Sequence, residues 1–253
     1  PVAYFSMEFA IDQPLKIYSG GLGFLAGSHM RSAYELKQNI VGIGMLWKYG
    51  YYDQTRKSNN ELDVLNQERY YTFLEDTGIE LDVLVHGHNV KVKAYYLPPL
   101  VLGIGGAKLL DALGHKTDLY HMNEAHALPA AFYLLQKYKT VAKVKEHLVF
   151  TTHTPVKAGN EVNDPNFLFE MSFFHHLSIK DVEKLIGFEN GWFNHTLAAL
   201  RLSKKANAVS KKHIQVADEM WGDFDKICKI EAITNAQNKN YWTDEALEKA
   251  HIK

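Results

Sequence analysis

The chain has 253 residues, of which 46% are hydrophobic and 23% are charged, as in an ordinary globular protein. Its 28 Lys and Arg residues are balanced by 29 Asp and Glu residues, which argues against a nucleic-acid binder that acts through bulk positive charge. No apolar run is long enough to span a membrane. The single cysteine, Cys228, excludes an internal disulfide bond and favours a reducing, cytoplasmic compartment. Because the sequence begins at Pro1, without an initiator methionine or a basic leader, we expect a fragment of a longer protein.

In the first half of the chain, short β-type runs flank one helical stretch. Leu22, Leu25, Ala26 and Met30 recur at steps of three and four residues, which is typical of one helix face. Apolar residues alternate on both sides of a Gly/Asn turn at residues 86–89, which predicts a β-hairpin. The predicted elements are a strand at 2–8, a helix that opens at 20–23, a strand at 40–45 and hairpin strands at 81–85 and 90–96.

The second half alternates strands and helices more regularly. Ser178 resembles the N-cap of a capping box, and Gly114 and Gly187 are expected to end helices. Predicted helices lie at 109–113, 129–138, 179–186, 197–205, 211–221 and 243–250, and predicted strands lie at 119–122, 148–152, 206–210 and 231–234. This alternation predicts an α/β fold with a largely parallel sheet, in one domain over residues 1–253.

Ligands of open α/β sheets bind beyond the carboxyl ends of the strands, so the segments after each strand are the candidates for chemistry. The strongest local signal is Ser19-Gly20-Gly21-Leu22-Gly23. Glycine lets the backbone approach a ligand closely, and the free N–H groups of a helix start bind phosphate or another anion. The alternative is a strand–helix turn that merely needs small residues. The spacing matches neither the dinucleotide-binding pattern nor a P-loop.

Three further segments carry polar side chains after predicted strands. His153 could bind a sugar or acyl oxygen, or it could be a histidine satisfied at a strand end. Glu124 and His126 could form a carboxylate–imidazole pair. Asn235 could bind a polyol, and its alternative role is that of a turn asparagine. The sequence lacks the zinc motif H-E-x-x-H, a Cys/His ligand cluster and a nucleophile elbow, so we predict no metal site and no self-contained catalytic apparatus.

Taken together, these segments resemble the N-terminal half of the α-glucan (glycogen/starch) phosphorylases, in their shorter bacterial-type branch. The resemblance follows the order of the motifs over nearly the whole chain. The matching motifs include Tyr4-Phe5-Ser6-Met7-Glu8-Phe9, Tyr18-Ser19-Gly20-Gly21-Leu22-Gly23, His121-Met122-Asn123-Glu124-Ala125-His126, Thr152-His153-Thr154-Pro155, Ala206-Asn207-Ala208-Val209-Ser210 and Ile233-Thr234-Asn235.

The resemblance implies a two-lobed GT-B glycosyltransferase, of which this chain forms the N-terminal Rossmann-like lobe with a β-hairpin insertion. It implies reversible phosphorolysis of α-1,4-glucan to glucose 1-phosphate, with pyridoxal 5′-phosphate attached through a lysine of the C-terminal lobe and none held covalently here. A cytoplasmic homodimer without nucleic-acid or membrane partners is expected. By position, catalytic roles fall to Gly21 and His153. Substrate-binding roles fall to Gly20, Gly21, Leu22, Gly23, Glu124, His126, His153 and Asn235.

The sequence departs from the family pattern in three places. The C-terminal lobe, which carries the cofactor lysine and most of the cationic phosphate ligands, is absent, so we expect the isolated chain to be inactive. Pro99 is followed directly by Leu100, where the family carries a longer active-site loop. Ala236 follows Asn235 where the family usually has glycine, and alanine resists a positive φ.

Two other functions remain as alternatives. Glycogen and starch synthases share the architecture and a Gly-Gly-Leu-Gly loop, but they carry a lysine two residues before the glycine pair, where this chain has Tyr18. A non-catalytic glucan-binding module is the second alternative, because the cofactor lobe is missing. Binding of a sugar nucleotide without a response to phosphate would distinguish the synthase.

Overall fold

The computed structural model describes residues 1–11, 15–72, 74–96 and 103–238. The strands, in chain order, are β1 (Val2–Phe5), β2 (Ile40–Ile43), β3 (Asp53–Arg56), β4 (Leu62–Leu65), β5 (Glu75–Val85), β6 (His88–Tyr96), β7 (Leu119–Asn123), β8 (Leu148–Thr152), β9 (Val162–Asn163), β10 (Phe193–Asn194), β11 (Lys205–Ala208) and β12 (Ile230–Ala232). The helices are α1 (Gly21–Glu35), α2 (Gly103–Ala112), α3 (Pro129–Tyr138), α4 (Val141–His147), α5 (Pro165–Glu170), α6 (Ile179–Ile186), α7 (His195–Leu202) and α8 (Lys211–Trp221). The helix predicted at 243–250 lies outside the described residues.

The chain divides into two compact units. Unit 1 contains residues 1–7, 41–45 and 72–234, and unit 2 contains residues 8–40, 46–71 and the residues from 235 onward. Unit 1 therefore holds most of the sheet, whereas unit 2 holds α1 and the β3–β4 hairpin. The assignment of residues 1–253 to one Rossmann-like lobe stays a prediction.

A six-stranded sheet has the order β12-β11-β8-β7-β1-β2. The pairs β1–β7, β7–β8, β8–β11 and β11–β12 are all parallel. The predicted α/β fold with a parallel sheet is therefore confirmed. β1 is shorter than the predicted strand at 2–8: the backbone N–H of Ser6 still donates to the Ile43 carbonyl at 3.0 Å, but the strand has ended at Phe5.

The two faces of this sheet differ in chemistry because side chains alternate along each strand. Phe5, Tyr120, Met122 and Phe150 belong to the buried apolar core of the molecule. The intervening residues are mostly polar: Tyr4, Ser6, His121, Asn123, Thr151 and Asn207. On this second face Thr151 Oγ1 donates to Asn207 Oδ1 at 2.7 Å and lies 2.7 Å from His121 Nε2. One face of the sheet therefore builds the core, and the other leads to polar groups at the carboxyl edge.

Local sequence signals place several helix ends as predicted. The Ser178 hydroxyl accepts from the backbone N–H of Asp181, and α6 ends at Gly187, whose φ is +72°. α3 begins at Pro129, with its missing N–H in the first turn where no partner is needed. α7 begins at His195 and ends at Leu202, rather than extending to residue 205, because Lys205 already pairs with Val149 in the sheet.

The predicted β-hairpin is formed by β5 and β6. Val85 pairs with His88, so the turn consists of two residues, His86 and Gly87, both with positive φ. Such turns match the right-handed twist of the flanking strands. A second antiparallel hairpin, β3–β4, and the short helices α4 and α5 have no counterpart among the predicted elements.

Candidate active-site elements

The diglycine loop, residues 18–23, forms the N-terminus of α1 in unit 2. Gly20 is the extended N-cap residue, and its carbonyl accepts from the N–H groups of Gly23 and Phe24 at 3.1 and 3.3 Å. Within the described part of the chain, the N–H groups of Gly21 and Leu22 have no acceptor. A Cβ added at Gly20 or Gly21 would meet nothing within 4 Å. The loop therefore offers two backbone donors at the positive end of a 15-residue helix, with open space around Gly20 and Gly21.

Gly23 and Gly27, further along the same helix, serve close packing instead. A Cβ at Gly23 would lie 2.6 Å from the Cβ of Tyr18, and one at Gly27 would lie 2.2 Å from the Ala10 carbonyl oxygen. The N–H of Ala10 donates to the Gly23 carbonyl at 2.9 Å. Here the absence of a side chain lets the segment before the loop lie against α1.

Glu8 supplies an internal anion to the loop, a role that no local sequence pattern indicates. Its Oε2 accepts from the N–H groups of Ser19 and Gly20 at 3.2 and 3.3 Å, and its Oε1 accepts from the hydroxyls of Ser19 and Tyr51. Partial burial acts to raise the pKa of this carboxyl, but these hydrogen bonds outweigh it and hold the pKa below its usual range. Burial and the bond to Glu8 raise the pKa of Tyr51 to about 12, so Tyr51 is the donor.

The second cluster lies in unit 1, where β7 and β8 end at the carboxyl edge of the sheet. His153 Nε2 lies 2.6 Å from Asn123 Oδ1, and Asn123 Nδ2 donates to Ser6 Oγ at 3.2 Å. Glu124 Oε1 accepts from the backbone N–H of His153 and from Thr154 Oγ1. The last residue of β7, Asn123, thus holds the ring of His153, and the next residue, Glu124, holds its main chain.

Glu124 has an unusual backbone conformation, with φ 64° and ψ 173°. This region is essentially restricted to glycine, and a residue with a side chain held there costs on the order of 1–3 kcal/mol. The Glu124 N–H donates to the Thr151 carbonyl at 2.9 Å, which continues the parallel ladder, while its carboxylate returns to residues 153 and 154. These bonds offset the strain. Burial raises the pKa of Glu124, opposed by its hydrogen bonds from His153 and Thr154.

His153 is neutral at physiological pH. Burial, and to a lesser extent the nearby His213, lower its pKa to about 4. His213, in the first turn of α8, accepts at Nδ1 from the Val209 N–H at 3.3 Å, and a hydrogen bond to the Thr154 backbone acts to raise its pKa against burial. Burial dominates, so the pKa of His213 is lowered as well.

The remaining predicted site residues are placed differently. His126 is exposed; it interacts electrostatically with Glu124, but no hydrogen bond joins the two side chains in the described structure. Asn235 is exposed, and like Gly20–Gly23 it belongs to unit 2, whereas His153, Glu124 and His126 belong to unit 1. The structure thus directly joins Glu124 with His153. It also adds Glu8, Thr154 and His213. Glu8 and Thr154 lie within the matching motifs, and His213 lies three residues after the N-cap residue Ser210.

No group of three or more His, Cys, Asp or Glu residues that could hold a metal ion occurs within residues 1–11, 15–72, 74–96 and 103–238. Over the same residues, no helix combines the length and the apolar character that a membrane crossing needs.

Comparison with known proteins gives relatives of two kinds. An uncharacterised protein of Methanocaldococcus jannaschii is 43% identical and covers 100% of this chain and 56% of its own length. Maltodextrin phosphorylase of Thermococcus litoralis is 30% identical over 98% of this chain, and glycogen phosphorylase of Aquifex aeolicus is 28% identical over 96%. The chain is phosphorylase-like. It spans 56%, 37% and 44% of these three curated relatives, and no model of a protein family matches it.

Among solved structures, the catalytic domain of starch synthase IV from Arabidopsis thaliana, bound to ADP and acarbose, aligns with a TM-score of 0.66. The alignment covers 96% of this chain and 54% of that one, at 14% identity. This likeness shows that the chain folds like about half of a GT-B domain, so the predicted α/β fold class is confirmed, and the two-lobed arrangement stays a prediction. The alignment with the Methanocaldococcus jannaschii protein runs over 294 positions, whereas this chain has 253 residues. That relative therefore carries residues inside the aligned span that this chain lacks. The Pro99–Leu100 junction, where we expected a loop, lies outside the described residues.

Proposed function

We propose that this chain is the N-terminal lobe of an α-glucan phosphorylase, which catalyses reversible phosphorolysis of α-1,4-glucan to glucose 1-phosphate. The observation that carries the proposal is the alignment of 98% and 96% of the chain with a maltodextrin phosphorylase and a glycogen phosphorylase. The site geometry supports it, because both clusters contain groups suited to a sugar phosphate: backbone donors in the loop, and a neutral imidazole at the sheet edge.

The diglycine loop would supply hydrogen-bond donors to phosphate or sugar oxygens. Backbone N–H groups of Gly21 and Leu22 need no reorganisation when charge develops on a bound oxygen, and such fixed donors lower the barrier of group transfer. The Glu8 carboxylate already accepts hydrogen bonds from the neighbouring N–H groups of Ser19 and Gly20. The two donors left for a ligand are therefore defined, and the loop would bind its oxygen beside a fixed negative charge.

His153 would bind a hydroxyl of the glucosyl unit. One nitrogen of the neutral imidazole is engaged with Asn123, and the other suits a hydroxyl group. Of the other residues that the resemblance assigns to the substrate, Glu124 supports the His153 main chain, while His126 and Asn235 are exposed and available.

The cofactor of this proposal, pyridoxal 5′-phosphate, would supply a phosphate group beside the substrate phosphate. The residues described here fit an accessory role only: the Gly21 and Leu22 N–H groups suit a phosphate oxygen, and the lysine linkage would come from another part of a longer protein. We expect no covalent attachment to this chain. A cytoplasmic homodimer also belongs to the proposal.

The decisive experiment compares the 253-residue chain with the full-length protein that contains it. Full-length protein should release glucose 1-phosphate from α-1,4-glucan only when phosphate is added. The isolated chain should release none, and phosphate-dependent release by it would overturn the predicted inactivity.

The same preparation distinguishes the two alternatives. Sugar-nucleotide binding with glucan extension and no response to phosphate would support a synthase. Glucan binding without turnover in either assay, by full-length protein loaded with pyridoxal 5′-phosphate, would support a non-catalytic binding module. Either outcome would overturn the phosphorylase proposal.

A further inference from the structure

Asn123 is fully buried at the end of β7, with 1% of its surface exposed, and both ends of its amide are used. Nδ2 donates to Ser6 Oγ at 3.2 Å, and Oδ1 lies 2.6 Å from His153 Nε2. In this orientation the amide nitrogen faces the serine hydroxyl and the amide oxygen faces the histidine. An amide oxygen only accepts, so Nε2 must carry the hydrogen of that bond.

This bond determines the chemistry of the other ring nitrogen. A neutral imidazole protonated at Nε2 has an unprotonated Nδ1, whose lone pair accepts a hydrogen bond. Burial keeps His153 neutral, with a pKa of about 4, so this form persists through the physiological range. In that range Nδ1 would therefore accept from a hydroxyl and would not donate to a phosphate oxygen.

The groups around His153 are consistent with a neutral ring. The interaction with the nearby His213 disfavours a positive charge on His153 and so lowers the pKa of His153. The Glu124 carboxylate, which would favour a positive charge, is engaged at Oε1 with the backbone N–H of His153 and with Thr154 Oγ1. Glu124 thus fixes the main chain of His153, while Asn123 fixes the ring.

We propose that Asn123 is a positioning residue that holds His153 in its Nε2–H form, so that Nδ1 accepts a hydrogen bond from a hydroxyl of the bound sugar. The hydroxyl as ligand rests on the proposed function. The form of the ring does not, because it follows from the Ser6–Asn123–His153 hydrogen bonds and from the burial that keeps the ring neutral.

The first test measures the ring directly. In full-length protein carrying ¹⁵N-labelled histidine, the His153 signals are assigned by their loss in His153→Gln, and their shifts report which nitrogen is protonated. We expect protonation at Nε2 and no titration above about pH 5, given the burial of the ring. Protonation at Nδ1 would overturn the proposal, whatever reaction the protein catalyses.

The second test uses Asn123→Asp, which keeps the size of the side chain and adds a negative charge. The carboxylate should raise the pKa of His153 by about 1–3 units and turn Nδ1 into a donor as pH falls. The KM for glucose 1-phosphate should then rise towards acid pH, with a smaller change in kcat. An unchanged pH profile of KM, with the His153 pKa raised, would contradict the acceptor role of Nδ1.

A matched control is available in the same unit. His195 is also buried and its Nε2 lies 2.8 Å from Asn163 Oδ1, so Asn163→Asp makes the same chemical change at another histidine. It should raise the pKa of His195 and leave the pH profile of KM unchanged. If no phosphorylase activity is found but the Nε2–H form is observed and responds to Asn123→Asp, the proposed function fails while the role of Asn123 in positioning the ring stands.

Discussion

The diglycine loop and the carboxyl edge of the sheet use opposite means to present polar groups. The loop presents backbone N–H groups and depends on open space around Gly20 and Gly21. The sheet edge presents side chains that are already hydrogen-bonded to each other, with Asn123 and Glu124 holding His153. Ligand binding at the loop should therefore be sensitive to added side-chain volume. The sheet edge should be sensitive to the loss of particular hydrogen bonds.

The largest expected effect comes from filling the open space at the loop. Gly21→Val in the full-length enzyme should lower turnover by about 100-fold or more, because the isopropyl group keeps the ligand oxygen away from the N–H donors, and a fixed donor to a charged transition state is usually worth that much. Folding should be nearly unaffected, because a Cβ at this position meets nothing within 4 Å. Steady-state kinetics and thermal unfolding measure the two quantities; unchanged turnover would remove the loop from the mechanism. Gly21→Ala, with a smaller side chain, should lower turnover less.

Gly27→Ala should destabilise the protein without touching the loop donors. Its Cβ would lie 2.2 Å from the Ala10 carbonyl oxygen, a backbone atom that cannot move cheaply. Overpacking of this kind costs about 1–3 kcal/mol of unfolding free energy. Denaturant titration measures the change, and Gly20→Ala, in open space, is the matched control. Equal stabilities of the two variants would contradict the close approach seen at Gly27.

At the sheet edge, Glu124→Gly and Glu124→Ala separate side-chain bonding from backbone strain. Both remove the carboxylate that holds residues 153 and 154, but only glycine adopts φ 64° and ψ 173° without strain. The glycine variant should be more stable than the alanine variant by about 1 kcal/mol or more. Chemical unfolding of the two variants side by side provides the measurement. Equal stability would indicate that residue 124 carries no backbone strain.

Tyr51→Phe should have the smallest effect, about 1 kcal/mol or less, because one partly exposed hydrogen bond to Glu8 is lost. The folded-state pKa of Glu8 lies below its unfolded value, so this carboxylate stabilises the protein above the unfolded pKa and less as pH falls through the folded one. Removing Tyr51 raises the folded pKa. The stability difference between wild type and variant should therefore be greatest above about pH 4.5 and shrink in acid, which unfolding at several pH values can measure. A difference that grows towards acid pH would contradict this account.

The sequence by itself determined the parallel α/β fold, the hairpin and most element positions, because these follow from local periodicity, caps and turn residues. α3, β8 and α8 begin and end at the predicted residues. It also marked the diglycine loop, since a helix start needs only the local chain to expose its N–H groups.

Only the tertiary structure decided which groups meet. Glu8 lies 11 residues from Ser19, and Asn123 lies 30 residues from His153, so no local pattern indicates that the first pair shares a hydrogen bond or that the second fixes a histidine ring. The positive φ of Glu124 is likewise imposed by the bonds between neighbouring strand ends, against the preference of the residue itself. Long-range hydrogen bonds and burial, which depend on the assembled sheet, determine the chemistry of these polar groups, and the local sequence determines where the strands and helices form.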